Sequence, residues 1–182
     1  MNADRFIQSK ILQIRNPSIY SFMELVSLVL NPAVLIPVCA ISMITLFRRK
    51  RNKIALVLII SVVGSSLLSY LLKDIFGRLR PIVSLTWEIG YSFPSGHATT
   101  NAAFFFLMIY LFKNRFSGTF ARIVFIIINI LLFTLVGFSR IYLNVHWTSD
   151  VIAGFALGLS WSSFVILVSR LKFLNRTCVK RE

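Results

Sequence analysis

The chain has 182 residues, of which 57% are hydrophobic and only 14% are charged, and its mean hydropathy is +0.78. A soluble domain carries about a quarter charged residues, so this composition excludes an ordinary soluble protein. Continuous apolar runs such as 54–72 exclude a transmembrane β-barrel, whose strands alternate apolar and polar residues. The sequence therefore predicts an all-α polytopic transmembrane helix bundle, built as a single membrane-embedded domain over residues 1–182.

Five spans are predicted in chain order, because a helix needs about 20 mostly apolar residues to cross a bilayer. The first covers about 23–47 and contains Pro32 and Pro37, which interrupt the span and can kink it. The others cover about 54–72, 98–112, 123–138 and 147–169. The third and fourth apolar runs are short, so we expect their polar ends to line a site.

The segment before the first span has a pattern of its own. Its apolar residues recur at roughly helical spacing among charged and amide side chains: Phe6, Ile7, Ile11, Leu12 and Ile14. This pattern is typical of an N-terminal interfacial helix rather than a span. A sixth span is the alternative, but it would place Arg5, Lys10 and Arg15 in hydrocarbon, which is costly.

The charge balance predicts the topology. The chain carries 20 Lys and Arg against six Asp and Glu, a formal net charge of +14. Such an excess in a soluble protein would suggest nucleic acid, but here the charges cluster between apolar runs, and no nucleic-acid partner is expected. The basic loops at 48–53, 113–122 and after 169 share one face, which the positive-inside rule makes cytoplasmic. The compact size and the lack of a recognisable targeting sequence favour a bacterial inner (plasma) membrane, with the opposite face periplasmic.

Three polar clusters fall at that opposite face, because spans two to five alternate in direction. They are Lys73-x6-Arg80-Pro81, Pro94-Ser95-Gly96-His97 and Ser139-Arg140-x5-His146-x3-Asp150. The first follows span two, the second opens span three, and the third joins span four to span five. The sequence therefore brings all three clusters to one place.

These residue types suit phosphoryl transfer. A phosphate dianion needs fixed positive charge, which Lys73, Arg80 and Arg140 supply, and Arg can bind phosphate through two hydrogen bonds. Ser95 and the backbone N–H groups near Gly96 lie at a predicted helix N-terminus, where anions bind readily. Donors of this kind also stabilise charge on a transferring phosphoryl group.

His97 and His146 are the only two histidines of the chain. His146 and Asp150 are four residues apart and share a helical face if span five begins there. Asp150 can then hold the imidazole in one tautomer and stabilise the cation formed during nucleophilic attack. His97 can protonate the leaving oxygen and afterwards activate a water molecule.

In order and spacing, the three clusters resemble the signature motifs of the type 2 phosphatidic acid phosphatase family. The resemblance implies a membrane enzyme that acts on a lipid phosphate or diphosphate without a metal or other cofactor. It implies His146 as the nucleophile, Asp150 as its partner and His97 as the acid/base. It also implies a set of phosphate ligands: Lys73, Arg80, Ser95, Gly96 and Arg140. Many relatives look like six-span proteins, whereas five spans are predicted here.

The sequence leaves the lipid open among undecaprenyl diphosphate, phosphatidylglycerol phosphate, phosphatidic acid and lipid A 1-phosphate. A lipid-to-lipid phosphotransferase would use the same site with a different acceptor. An anion channel or transporter is less favoured, because the charges sit at one face and no inverted repeat occurs. The oligomeric state also stays open.

A few charged and aromatic residues occupy no fixed motif position. We interpret Arg78 as a contact to the membrane interface or a lipid headgroup, and Tyr91 and Trp147 as interfacial belt residues. Asp74 and Glu88 are expected to be solvated loop charges.

Overall fold

The computed structural model describes residues 2–82 and 88–178. Seven α-helices and a short 3-10 turn at Lys113–Arg115 make up this part of the chain, and it contains no strand. The helices are α1 (Asn2–Gln13), α2 (Pro17–Val29), α3 (Pro32–Arg48), α4 (Asn52–Phe76), α5 (Gly96–Phe112), α6 (Thr119–Tyr142) and α7 (Thr148–Cys178). The predicted all-α transmembrane bundle is confirmed.

The first predicted span consists of two helices, α2 and α3. Asn31 caps α3 by accepting a 2.8 Å hydrogen bond from Ala33 N, and Pro32 follows at the first helical position. Proline fits that position because its missing N–H would have no partner there anyway. The predicted interruption at Pro32 is therefore a complete break, whereas Pro37 lies inside α3.

Four stretches of the described residues are long and apolar enough to cross a membrane: Pro17–Arg48, Asn52–Phe76, Thr119–Tyr142 and Thr148–Leu171. The helix α5 is shorter, with 17 residues, and most of its first half is buried. The five crossings of the sequence analysis stay a prediction.

The centre of the bundle is α5, which packs against α4, α6 and α7. Two glycines of α7 allow the closest approach. A Cβ atom at Gly158 would lie 2.2 Å from Thr99 O, and one at Gly154 would lie 2.8 Å from Ser95 O. Small residues let membrane helices approach in this way. They hold the first turns of α5 and α7 against each other.

The separate N-terminal helix is also as predicted. α1 packs against α6 and α7, and it buries Asp4 and Ile11 there. Ile11 joins a hydrophobic cluster with Met23, Tyr142 and Leu143. The position of α1 at a membrane interface stays a prediction.

Candidate active site

The site lies where four helix ends meet: the C-termini of α4 and α6 and the N-termini of α5 and α7. Gly77 ends α4 in the left-handed conformation (φ +56°), so the chain turns towards Arg78 and Arg80. Ser95 N donates a 3.0 Å hydrogen bond to Asp150 O, which joins the second motif to the third. The structure thus brings the three predicted motifs together.

His146 lies in the tight connection between α6 and α7. Its backbone N and that of Val145 donate to Arg140 O at 3.3 and 3.2 Å, and Asn144 adopts a left-handed conformation (φ +57°) that asparagine tolerates. The imidazole is 3% exposed. Its Nδ1 lies 3.4 Å from Asp150 Oδ2, at ion-pair distance but without a hydrogen bond, and its Nε2 lies 3.3 Å from Arg80 Nη1. The predicted pairing of His146 with Asp150 is therefore present in the fold.

The surroundings favour a neutral imidazole. Burial, together with the positive charges of Arg140 and Arg80, holds the pKa of His146 well below its ordinary value of 6.5. A neutral ring keeps a lone pair, which a nucleophile or base requires.

The two motif arginines converge on one carboxylate. Arg80 Nη2 lies 3.2 Å from Glu88 Oε2, and Arg140 Nη2 donates to Glu88 Oε1. Burial alone would raise the pKa of Glu88, but the charges of Arg140 and Arg80 outweigh it and the pKa is lowered. The expectation of a solvated loop charge at Glu88 is wrong, because the bundle brings this carboxylate into ion pairs with Arg80 and Arg140.

The remaining contacts of the cations fix their orientation. Arg80 Nη1 donates to Val145 O at 2.8 Å and Arg80 Nε to Gly90 O at 3.0 Å. Arg140 Nη1 donates to Ser27 Oγ of α2. Lys73 Nζ donates to Tyr91 O at 2.6 Å. Both guanidinium groups are thus held by acceptors from other segments of the protein.

The second motif supplies a buried imidazole at the start of α5. His97 Nε2 is buried and has no hydrogen-bond partner, and the ring is within electrostatic reach of Arg140 and His146. Native proteins leave few buried polar atoms unpaired, so such an atom marks a place where a ligand or water can bind. Ser95 caps α5 and is fully buried. A Cβ at Gly96 would come within 3.7 Å of Ser69 Oγ, an ordinary contact, so the role of Gly96 stays a prediction.

Arg78 is placed differently from the expectation. Its Nη1 donates at 2.6 Å to Asp150 Oδ1 and at 2.6 Å to Ser149 Oγ, and its Nη2 lies 2.7 Å from Asp4 Oδ2. The headgroup interpretation of Arg78 is wrong, because two carboxylates take up the guanidinium. The sequence did contain a weak signal: Asp4, Gln8 and Ile11 lie on one face of α1 at helical spacing.

Metal ligands were not expected from the sequence. Within residues 2–82 and 88–178, no three His, Cys, Asp or Glu side chains come together as a metal site requires. Independence from a metal stays a prediction.

Comparison with known proteins identifies the family. Residues 54–173 match the model of the PAP2 superfamily. The chain belongs to this superfamily. It is 30% identical over 161 residues to phosphatidylglycerophosphatase B of Bacillus subtilis, covering 87% of this chain and 79% of that protein. It is 38% identical over 140 residues to an undecaprenyl-diphosphatase of Sulfolobus acidocaldarius, covering 71% of this chain and 60% of the relative.

A solved structure shares the fold. The transmembrane PAP2-type phosphatidylglycerolphosphate phosphatase from Bacillus subtilis superposes with a TM-score of 0.82 at 29% identity, over 93% of this chain and 85% of that one. The predictions of an integral membrane protein and of a PAP2-type lipid phosphate phosphatase are confirmed.

Proposed function

We propose that this PAP2 phosphatase hydrolyses a phosphomonoester or diphosphate on a membrane lipid through a phosphohistidine formed at His146 Nε2. One observation carries the proposal: His146 is held between Asp150 at Nδ1 (3.4 Å) and Arg80 at Nε2 (3.3 Å). The nitrogen that points towards the cations is the one that can attack a bound phosphorus atom. The other nitrogen faces the carboxylate that stabilises the resulting cation.

The first step forms the bond between Nε2 and phosphorus and breaks the bond between phosphorus and the lipid oxygen. His97 enters this step as the imidazolium, which the bound phosphate dianion stabilises, and its proton passes to that oxygen, while Asp150 stabilises the charge on His146. Arg80, Arg140 and Lys73 neutralise the phosphoryl oxygens as charge moves through the transition state. Substrate phosphate takes over the arginine contacts that Glu88 makes.

The second step releases inorganic phosphate. His97 accepts a proton from a water molecule, whose oxygen attacks the phosphorus of the phosphohistidine. The bond to Nε2 breaks and His146 returns to its neutral form, which the depressed pKa favours.

The substrate is a lipid that reaches the site from the bilayer. The candidates are undecaprenyl diphosphate, phosphatidylglycerol phosphate, phosphatidic acid and lipid A 1-phosphate. The names of the Bacillus and Sulfolobus relatives support the first two. The basic loops at the other end of the bundle support a site on the periplasmic face of a bacterial inner membrane.

The test is phosphate release from these four lipids by the wild type and by His146→Ala in detergent. We expect release from at least one lipid by the wild type and none by the variant. Orthovanadate should inhibit as a phosphoryl mimic, and EDTA should not. Activity in His146→Ala would contradict the proposed nucleophile, and inhibition by EDTA that added metal reverses would contradict the metal-free mechanism. Release only after a lipid acceptor is added would instead establish a phosphotransferase.

A further inference from the structure

The N-terminal helix α1 contacts the loop that carries His146 through one polar face. Asp4 Oδ1 accepts a 2.9 Å hydrogen bond from Ser149 N, and Asp4 Oδ2 accepts one of 2.6 Å from Ser149 Oγ. Four residues later, Gln8 Nε2 donates to Asn144 Oδ1 at 2.8 Å. These contacts bracket His146 on both sides along the chain. The helix α1 therefore contacts the loop that carries His146 without touching the place where phosphate would bind.

Arg78 extends this contact to the carboxylate beside the nucleophile. It spans Asp4 and Asp150, with Nη2 at 2.7 Å from the first and Nη1 at 2.6 Å from the second. Asp150 divides its oxygens accordingly. Oδ1 accepts from Arg78, while Oδ2 accepts from Trp147 N at 2.9 Å and faces His146 Nδ1. Arg78 on Oδ1 and Trp147 N on Oδ2 thus together orient the carboxylate that faces the imidazole.

Charge explains why a second carboxylate is needed. Arg78 alone would neutralise Asp150 and reduce its ability to stabilise a cation on His146. Asp4 offsets this effect, because its own negative charge is shared with the same guanidinium. Burial alone would raise the pKa of Asp4, but hydrogen bonds from Ser149 and Arg78 outweigh it and lower the pKa, so Asp4 remains ionised at neutral pH. The four groups thus carry two negative charges, one positive charge and an imidazole that becomes positive in the reaction.

We propose that Asp4 and Arg78 are positioning residues, which orient Asp150 towards His146 and leave its charge available when the phosphohistidine forms. The proposal rests on the proposed function of His146 as nucleophile. It gives the N-terminal helix a part in the reaction that none of the three motifs contains. Neither residue touches substrate in this scheme; both act through Asp150.

The test measures the single-turnover rate constant with enzyme in excess over phosphatidic acid, or over whichever lipid of the panel is cleaved fastest. With saturating enzyme, this constant does not depend on the fraction of protein that is correctly folded. We expect Asp4→Asn and Arg78→Gln each to lower it by about 10-fold to 100-fold, the range known for groups that orient the ligands of a metal site. The KM should stay within about twofold, because the phosphate ligands are intact.

Two further comparisons separate positioning from a purely structural role. The double variant Asp4→Asn/Arg78→Gln should be less slow than the product of the two single effects, since Asp4 acts partly through Arg78 and partly through its own contacts with Ser149. Arg78→Lys keeps the charge but loses the fork, so its rate constant should lie between those of the wild type and Arg78→Gln. If Arg78→Gln does not fold in detergent, Arg78→Lys and Asp4→Asn decide the question without it.

Matched controls are Asp74→Asn and Arg5→Gln, since both side chains are exposed. Both should turn over at the wild-type rate. Wild-type rate constants in Asp4→Asn and Arg78→Lys, with or without a lower melting temperature, would overturn the proposal and leave α1 a structural clamp. An inactive His146→Ala in the same assay keeps the phosphohistidine proposal standing in that case, whereas an active one would remove the basis of both.

Discussion

The central helix α5 and the peripheral arm formed by α2 and α3 are both apolar, but they differ in which side chains they bury and which they expose. α5 buries a nearly continuous run of small and polar side chains, 97–103, against its neighbours. The arm instead exposes large apolar side chains to the surroundings: Phe22, Leu25, Leu28, Ile41 and Ile44. Between these two regions, the more buried one therefore carries the less hydrophobic side chains.

The bilayer explains the difference. Lipid tails solvate apolar side chains as well as a protein core does, so exposing them costs little. Unpaired polar groups are what hydrocarbon does not tolerate. Asn101 of α5 shows the consequence, because its Nδ2 donates at 2.8 Å to Leu30 O, next to the break between α2 and α3. The central helix thus supplies the partner that the broken arm needs.

The largest effect should come from truncating the same residue type in the two regions. Leu107 of α5 is 0% exposed and Leu25 of α2 is 55% exposed. Leu107→Ala should lower the free energy of unfolding by about 2–5 kcal/mol, because close contacts are lost and a cavity remains. Leu25→Ala should change it by less than about 0.5 kcal/mol. Thermal melting in detergent compares the two variants. Equal losses of stability would mean that the arm is as buried as α5.

The second largest effect is expected at Arg140, through which the arm contacts the site. Arg140 donates to Ser27 of α2 and to Glu88. Arg140→Lys keeps the charge but cannot bind two partners and a phosphate in one plane, so kcat should fall by about 10²- to 10³-fold. Arg115→Lys, at an exposed position near the other end, is the control. An unchanged kcat in Arg140→Lys would exclude Arg140 from the phosphate site.

The close approach of α5 and α7 predicts that Gly158→Ala lowers stability, but by less than Leu107→Ala. The added methyl of Gly158→Ala would lie 2.2 Å from Thr99 O, so the two helices must separate. We expect the free energy of unfolding to fall by about 1–3 kcal/mol. A Cβ atom added at Gly118 would meet nothing within 4 Å, so Gly118→Ala should melt close to the wild type. Similar melting of the two variants would show that the helices are not tightly packed.

The dependence of stability on pH should be the smallest effect. We expect it to arise from the site rather than from the arm. The pKa of His146 is lowered in the folded protein, so below about pH 6.5 the unfolded chain binds a proton that the folded one does not. The contribution of His146 to the free energy of unfolding is therefore fully present above pH 6.5. It is lost as the pH falls towards the lower pKa that His146 has in the folded protein. Melting temperatures between about pH 8 and 5 should fall less in His146→Asn than in the wild type. Parallel curves would contradict the depressed pKa.

The sequence predicted much of this organisation because membrane helices are strongly constrained. Long apolar runs set the helices α4, α6 and α7, and the alternation of their directions brought Lys73, His97 and His146 to one end. The break at Pro32 was predicted as an interruption, since proline cannot donate the backbone hydrogen bond that a continuous helix needs. The spacing of His146 and Asp150 predicted that they lie close together, but the predicted reason was a shared helical face, whereas α7 begins only at Thr148 and the connection before it places His146 beside Asp150.

The tertiary structure alone decided the partners of the charges outside the motifs. Glu88 meets Arg140 across 52 positions of the chain, and Asp4 meets Arg78 across 74. No short, regular spacing in the sequence links the residues of either pair, because each contact depends on how α1 and the loop before α5 pack onto the end of the bundle. Motif spacing predicted which side chains gather at one end of the bundle, since they lie at helix ends. The carboxylates that pair with Arg140 and Arg78 come from distant segments, which only the packed helices bring into contact.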